Sequence, residues 1–217
     1  MKMPLRVTAS AACFAAALAL TASTAQAQNL LVDPGFETGV IPQPNPIPVP
    51  GGVGGGWAAF GASIATPTAH SGIYSVLIAN NTWSPNGVYQ LLPANPGNWF
   101  DLNAWYMTPT GVGGGGVSEL VQISFFDSTG TGIPGAAFGG WLGPPALNTW
   151  TLSPDVIAQA PANTAYVGAY LMWMDNNAGN GDQLYYDDAD LTQIPEPSSL
   201  ALLGLGLLGT LIWRRRQ

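Results

Sequence analysis

Between Asn29 and Thr192 the chain is a succession of short runs in which apolar and polar positions alternate. In "IYSVLIA" Tyr74, Val76 and Ile78 share one face, in "LVQISFF" Val121, Ile123 and Phe125 do, and in "YVGAYLMW" Val167, Ala169, Leu171 and Trp173 do. A period of two predicts half-buried strands. "NGVYQLL", "FDLNAWYM", "NTWTLS" and "QLYYDDADL" read the same way, and no helical period stands out between the ends. Gly, Pro, Asn and Asp clusters separate the runs, and "DSTGTG" after Phe126 reads as a hairpin turn. About ten short strands with such punctuation predict an all-β, two-sheet antiparallel β-sandwich. Two stretches interrupt it as long loops, the Pro-then-Gly segment from Val40 to Gly56 and "TPTGVGGGG".

At both ends continuous apolar runs replace the alternation. Lys2 and Arg6, then Ala9 to Leu20, then Ala25-Gln26-Ala27 have the order of a signal peptide with its cleavage site, so residues 1–27 are expected to be removed by signal peptidase and the mature chain to start at Gln28. The single cysteine, Cys13, leaves with it. At the other end Leu200 to Trp213 carries no charge and is stopped by Arg214, Arg215 and Arg216, the pattern of one short transmembrane helix with a cytoplasmic C-terminus. As a helix this run reaches about 21 Å against about 30 Å of hydrocarbon, which suits a transient inner-membrane anchor better than a lasting span. The domains expected are therefore residues 1–27, a sandwich over 28–193, and a tail over 194–217.

Charge narrows the function. All five basic residues lie in the two terminal segments, so residues 28–193 hold no Lys or Arg against eleven carboxylates, the twelve of the chain less Glu196. Without cations the domain has no means of gripping nucleic acid. Its carboxylates must be satisfied by N–H groups, hydroxyls, water or a metal cation. With no thiol, no lysine, no G-x-S-x-G and only His70, nucleophilic catalysis has no candidate residues, and the chain reads as a non-enzyme. A small glycan hydrolase or lyase is the minor alternative, with Asp101 and Asp155 among the carboxylates that stay open for it.

The tail "IPEPSSLALLGLGLLGTLIWRRR" resembles the PEP-CTERM sorting signal of Gram-negative envelope proteins: Pro195-Glu196-Pro197, an apolar helix, then Arg214, Arg215 and Arg216. The resemblance implies recognition by an exosortase, cleavage near the Pro-Glu-Pro, and delivery to the outer surface or extracellular matrix, commonly in connection with exopolysaccharide. "NLLVDPGFETG", "HSGIYSV", "NPGNWFDLNAWYM" and "LYYDDADLT" are similar to the galactose-binding-like jelly rolls of carbohydrate-binding modules. That resemblance implies a structural Ca²⁺ held by Glu37 and Asp187 or Asp188, with carbonyls from the first strand and the Ser71-Gly72 loop. The competing reading is that these carboxylates cap turns. "DNNAGNGDQ" departs from an EF-hand loop, with Asn180 at the glycine position and Tyr186 at the glutamate position, and reads as a polar turn.

Neutral sugars are bound by aromatic rings that stack on pyranose faces beside amides and carboxylates. Trp83 in "NNTWSPNG" and Trp141 in "FGGWLGPP" lie among loop-forming residues and are the leading platform candidates, with Tyr89, Trp173 and Asn81 behind them. Packing in the core is the alternative for each, and it is the expectation for Trp57, Trp105 and Trp150. The combined expectation is an exported, non-catalytic protein that binds neutral polysaccharide, with a purely structural or adhesive surface protein as the alternative.

Overall fold

The computed structural model describes residues 28–41, 56–61, 63–79, 86–109, 117–142, 146–175, 183–194 and 214, with the side chains of 117–119, 141, 174 and 175 outside the description. Residues 1–27, read as a signal peptide, the Pro-Glu-Pro motif and the apolar tail fall outside these residues, apart from an exposed Arg214. Among the described residues no helix is long and apolar enough to cross a membrane.

The strands are β1 (Ala58–Phe60), β2 (Ser63–Thr66), β3 (Ser75–Ala79), β4 (Asn86–Pro93), β5 (Trp99–Met107), β6 (Val117–Phe126), β7 (Gly132–Leu142), β8 (Thr151–Leu152), β9 (Val156–Gln159), β10 (Tyr166–Asp175) and β11 (Gln183–Ile194). They form two antiparallel sheets. One has the order β1-β4-β10-β6-β7, and the other β2-β3-β11-β5-β8 with β9 also on β5. Alternation sends one phase of each strand between the sheets. Phe100, Leu102, Ala104 and Tyr106 of β5 face Val121, Ile123 and Phe125 of β6 and Val167, Ala169, Leu171 and Trp173 of β10 in one continuous core.

Strand β11 needs an interruption to keep its phase. Leu184 and Tyr186 point inward, and strict alternation would then bury Asp188. Instead the register shifts between Asp187 and Asp190, so that Ala189 and Leu191 are the next residues in the core. Such a bulge re-aims side chains, and here it turns Asp187 and Asp188 toward the loop between β2 and β3. The Asp127–Thr131 turn between β6 and β7 is the expected hairpin, with Asp127 Oδ1 accepting from the N–H groups of Thr129 and Thr131.

Strands β1, β2, β7 and β9 were not among the runs read from the sequence. The consequential one is β7, "GIPGAAFGGWL", whose C-terminal half reads as loop. It is an edge strand, where glycine and proline are tolerated because one row of N–H groups needs no partner. Trp141 therefore stands in a strand, paired with Leu120 of β6, and not in a loop.

The N-terminal segment lies along the sandwich through side-chain amides. Asn29 accepts from the N–H groups of Leu31 and Leu191 and donates to the carbonyl of Ala189. Gln90, buried on the inward phase of β4, accepts from Val32 N–H at 2.7 Å and donates to Val32 C=O at 3.0 Å. Replacing it by leucine leaves both main-chain groups of Val32 unpaired. Gln90→Leu is expected to lower the unfolding free energy by about 1–3 kcal/mol, measured by urea denaturation.

Candidate functional site

Sugar-stacking rings must be reachable, and the strand phases decide which are. Trp173 is on the inward phase of β10 and is 0% exposed in the core, which removes it as a platform. Trp57 is buried as expected. Trp105 and Trp150 depart from the core expectation. Trp105 shares the outward phase of β5 with Trp99, Asp101 and Asn103, and the His70 ring stacks on it at 4.0 Å, with Trp150 edge-on to His70 at 5.7 Å. Trp83 and Asn81 lie outside the described residues.

The outer face of the five-stranded sheet holds the main aromatic cluster. Register places Tyr89 beside Ala58 and Tyr170, and Tyr170 beside Gln122. The Tyr89 and Tyr170 rings stack at 5.4 Å and 16°, with Phe60 against both. Leu91, Phe126 and Tyr166 complete the patch. Gly168, between Leu91 and Ser124 in the sheet, leaves the room these rings use, since a Cβ there would meet Tyr170 at 2.6 Å and Leu91 at 2.8 Å. Tyr89 is only 4% exposed, whereas Phe60, Tyr166 and Tyr170 are partly accessible. Burial pushes the Tyr89 and Tyr170 phenols up, so both stay neutral hydroxyls at ordinary pH. Beside them Gln122 donates to Ser124 Oγ at 2.7 Å. Along the same register Gly139 sits next to Gln122 and Trp141 next to Leu120. Aromatic rings with an amide and hydroxyls are the groups that recognise a neutral polyol.

The three expected calcium ligands do converge. Around Gly35, an added Cβ would lie 3.3 Å from Asp188 Oδ1, 3.7 Å from Asp187 Oδ1 and 3.7 Å from Glu37 Cγ. Asp187 accepts N–H groups of His70, Ser71 and Asp188. Asp188 accepts the Ser71 hydroxyl at 2.8 Å and lies 2.7 Å from His70 Nδ1, and Glu37 accepts N–H groups of Ile73 and Tyr74. Gly72 makes this possible. Its φ is +65°, and a Cβ on it would come within 2.2 Å of Glu37 Oε1, so only glycine lets the loop fold over that carboxylate. Among the described residues no group of three or more His, Cys, Asp or Glu side chains is gathered as a metal shell. The loop meets the carboxylates with N–H and hydroxyl donors, so a calcium ion here would draw on carboxylate lone pairs left over from those bonds and on main-chain carbonyls.

Asp101 and Asp155 also come together, on the outer side of the six-stranded sheet. Asn103 donates to Asp155 at 2.9 Å, and Asp101 is pushed up by burial and by the charges of Asp155 and Asp190. This grouping joins β5, β11 and the segment before β9, which no spacing in the sequence signals.

Residues 193–216 match the PEP-CTERM protein-sorting motif. Among curated proteins none matches the chain in sequence. The sandwich is similar to TmCBM61 solved in complex with β-1,4-galactotriose, with a TM-score of 0.52 and 18% identity over 77% of this chain and 99% of that one. It is similar to a family 16 carbohydrate-binding module, with a TM-score of 0.51 and 18% identity over 76% of this chain and 99% of that one. A putative sugar binding protein from Bacteroides thetaiotaomicron VPI-5482 gives a TM-score of 0.54 at 13% identity over 77% of this chain and 100% of that one. At such identity the likeness establishes the fold, the jelly-roll sandwich of carbohydrate-binding modules.

Asp187 sets a pH test. Burial raises its pKa to about 6 despite three N–H donors, so between about pH 4 and 6 the folded chain holds a proton that the unfolded chain has lost. Its contribution to stability is full below about pH 4 and declines as pH rises to about 6, by up to about 3 kcal/mol. Wild type compared with Asp187→Asn in urea denaturation at pH 4, 5, 6 and 7 is expected to show the steeper decline in wild type, the difference between the two reporting Asp187.

Proposed function

We propose that the chain is an exported protein of a Gram-negative envelope whose sandwich binds neutral polysaccharide on the outer face of the five-stranded sheet. The observation that carries this reading is the aromatic patch of Phe60, Tyr166 and Tyr170, with Gln122 beside it, on the side of that sheet away from the core. A sheet fold needs no such patch for its own core, and the face offers no charged side chain among its described residues. A glycan would set the C–H face of a ring on Tyr170 and Phe60 and exchange hydroxyl hydrogen bonds with Gln122. Trp141, at the next register position on β7, is a further candidate, as are Trp83 and Asn81. Tyr89 supports Tyr170 from behind.

In this reading signal peptidase removes residues 1–27, the tail holds the chain transiently in the inner membrane, and an exosortase cleaves near Pro195-Glu196-Pro197. The folded domain then joins an exopolysaccharide matrix. The sorting motif at residues 193–216 supports export and envelope sorting. A structural Ca²⁺ at Glu37, Asp187 and Asp188 belongs to the same proposal. What supports it is a buried carboxylate in a domain with no Lys or Arg, at the place where the three side chains converge. Bound there, the ion would supply the positive charge that the domain's own residues lack.

Three outcomes are expected. In affinity electrophoresis through galactan and xylan gels, Tyr170→Ala reduces retention at least about tenfold while far-ultraviolet dichroism stays that of wild type. Retention unchanged in both Tyr170→Ala and Phe60→Ala would place binding elsewhere and favour a structural surface protein. Intact mass of the protein from host membrane and medium fractions gives a medium species starting at Gln28 and ending near Pro197, lost when the Pro-Glu-Pro is replaced by alanines. Calcium at pH 7 raises the melting temperature over an EDTA control, and an unchanged melting temperature withdraws the metal.

A further inference from the structure

The sandwich has a second feature of ligand size, on its open edge. Between β7 and β9 a groove of about 300 Å³ is lined by Phe138, Leu142, Pro154, Asp155, Val156 and Ile157. Its walls are apolar. Phe138, 38% exposed, is edge-on to the buried Phe125, so its ring is fixed from below and open from above. Ile157 is 53% exposed on the opposite wall. Gly139 and Gly140 follow Phe138 along β7 and line the groove with it, and a Cβ on Gly140 would meet nothing within 4 Å. Such a volume is at the small end of ligand sites and suits one small ring.

The rim is acidic with nothing to balance it. Asp155 lines the groove, and its Oδ1 takes the Asn103 amide. Next to it, in register with Ile157, is Asp101, and across β11 is Asp190, in register with Asn103. One oxygen of Asp101 and one of Asp190 are buried without a hydrogen-bond partner among the described residues. Leaving buried acceptors unpaired is costly, and the charges of Asp155 and Asp190 acting on Asp101 add to that cost. No Lys or Arg occurs anywhere in residues 28–193 to relieve it.

We propose that this groove is a second glycan site, selective for a pyranose that carries a protonated amine, with the C–H face of the ring on Phe138 and the ammonium at Asp155. An ammonium has three donors and no acceptor, which matches a rim with acceptors to spare. A neutral hexose would bring donors without relieving the repulsion, and an acidic sugar would add to it. A bare metal ion would meet the carboxylates but leave the apolar wall of Phe138 and Ile157 unused. The groove is at the β7 edge beside β9, whereas the Tyr170 patch is on the outer face of the five-stranded sheet, and the site goes beyond neutral polysaccharide binding. Amine-bearing and neutral glycans would engage different surfaces of one domain.

The test uses the full chain in detergent micelles, with the tetramer of β-1,4-linked glucosamine as probe, at pH 6 where its amines are protonated, in titration calorimetry. The tetramer is expected to bind, and its fully N-acetylated counterpart to bind at least about tenfold more weakly. Asp155→Asn, at an exposed position, weakens the amine form by at least about tenfold and leaves retention in neutral galactan and xylan gels as in wild type. Ile157→Lys, which puts a cation on the groove wall at another exposed position, abolishes amine binding. Equal affinity for the two tetramers, no binding of either, or full affinity in Asp155→Asn overturns the proposal. So does release of new reducing ends from the tetramer, which would make the carboxylates hydrolytic.

Discussion

Each carboxylate between Gln28 and Gln193 has to be satisfied without an ammonium or guanidinium from the same domain, and much of the local architecture follows from that requirement. Asp33, Asp127 and Glu37 each close a turn or a loop by accepting main-chain N–H groups. Asp187 goes furthest, gathering three such donors in a position with no solvent exposure. Hydrogen bonds of this kind are directional, so they fix loop conformations as well as stabilising the charge. The β2–β3 loop is held against β11 in this way, with glycine at position 72 because nothing larger would pass Glu37. Where the donors run out, as at Asp101 and Asp190, the chain is left with acceptors facing outward.

The two sheets divide the remaining tasks. The inward phases build one core, from Phe36 and Trp57 at one end to Phe125 and Ala158 at the other. The outward phases differ in chemistry. One sheet presents tyrosines, phenylalanines, an amide and hydroxyls, and the other presents Trp99, Trp105 and His70 next to aspartates. A sandwich is suited to this because period two lets each strand serve the core with one set of residues and a surface with the other. The two surfaces can then change independently while the core stays the same.

Much of this was legible in the sequence, and the exceptions have physical causes. The runs that became β3, β4, β5, β6, β10 and β11 show their period openly. Trp173 falls in phase with Val167, Ala169 and Leu171, so its burial follows from its own strand pattern. Trp105 falls in phase with Asp101 and Asn103, so its outward position does too. Reading those rings by their neighbours along the chain, and not by strand phase, exchanges their roles. β7 was hidden because an edge strand can be built from glycine, proline and alanine. The bulge at Asp187 was hidden because two adjacent aspartates look alike until the phase of Ala189 and Leu191 is known. Convergence of Glu37 with Asp187 and Asp188 came through resemblance. The meeting of Asp101 with Asp155 is set by the pairing of β5 with β8 and β9, and no local pattern encodes it.

Strand β11 is the last of the sandwich and yet is central in its sheet, hydrogen-bonded to β3 on one side and β5 on the other. Its neighbours cannot pair with each other in its absence without leaving the core open where Leu184, Tyr186, Ala189 and Leu191 belong. A chain made N-terminus first thus lacks a complete sandwich until β11 has been made, because these long-range pairings close last. The sorting motif begins at residue 193. Completion of the fold and emergence of the sorting motif are therefore nearly the same event, so the motif cannot be complete before the final strand has been made.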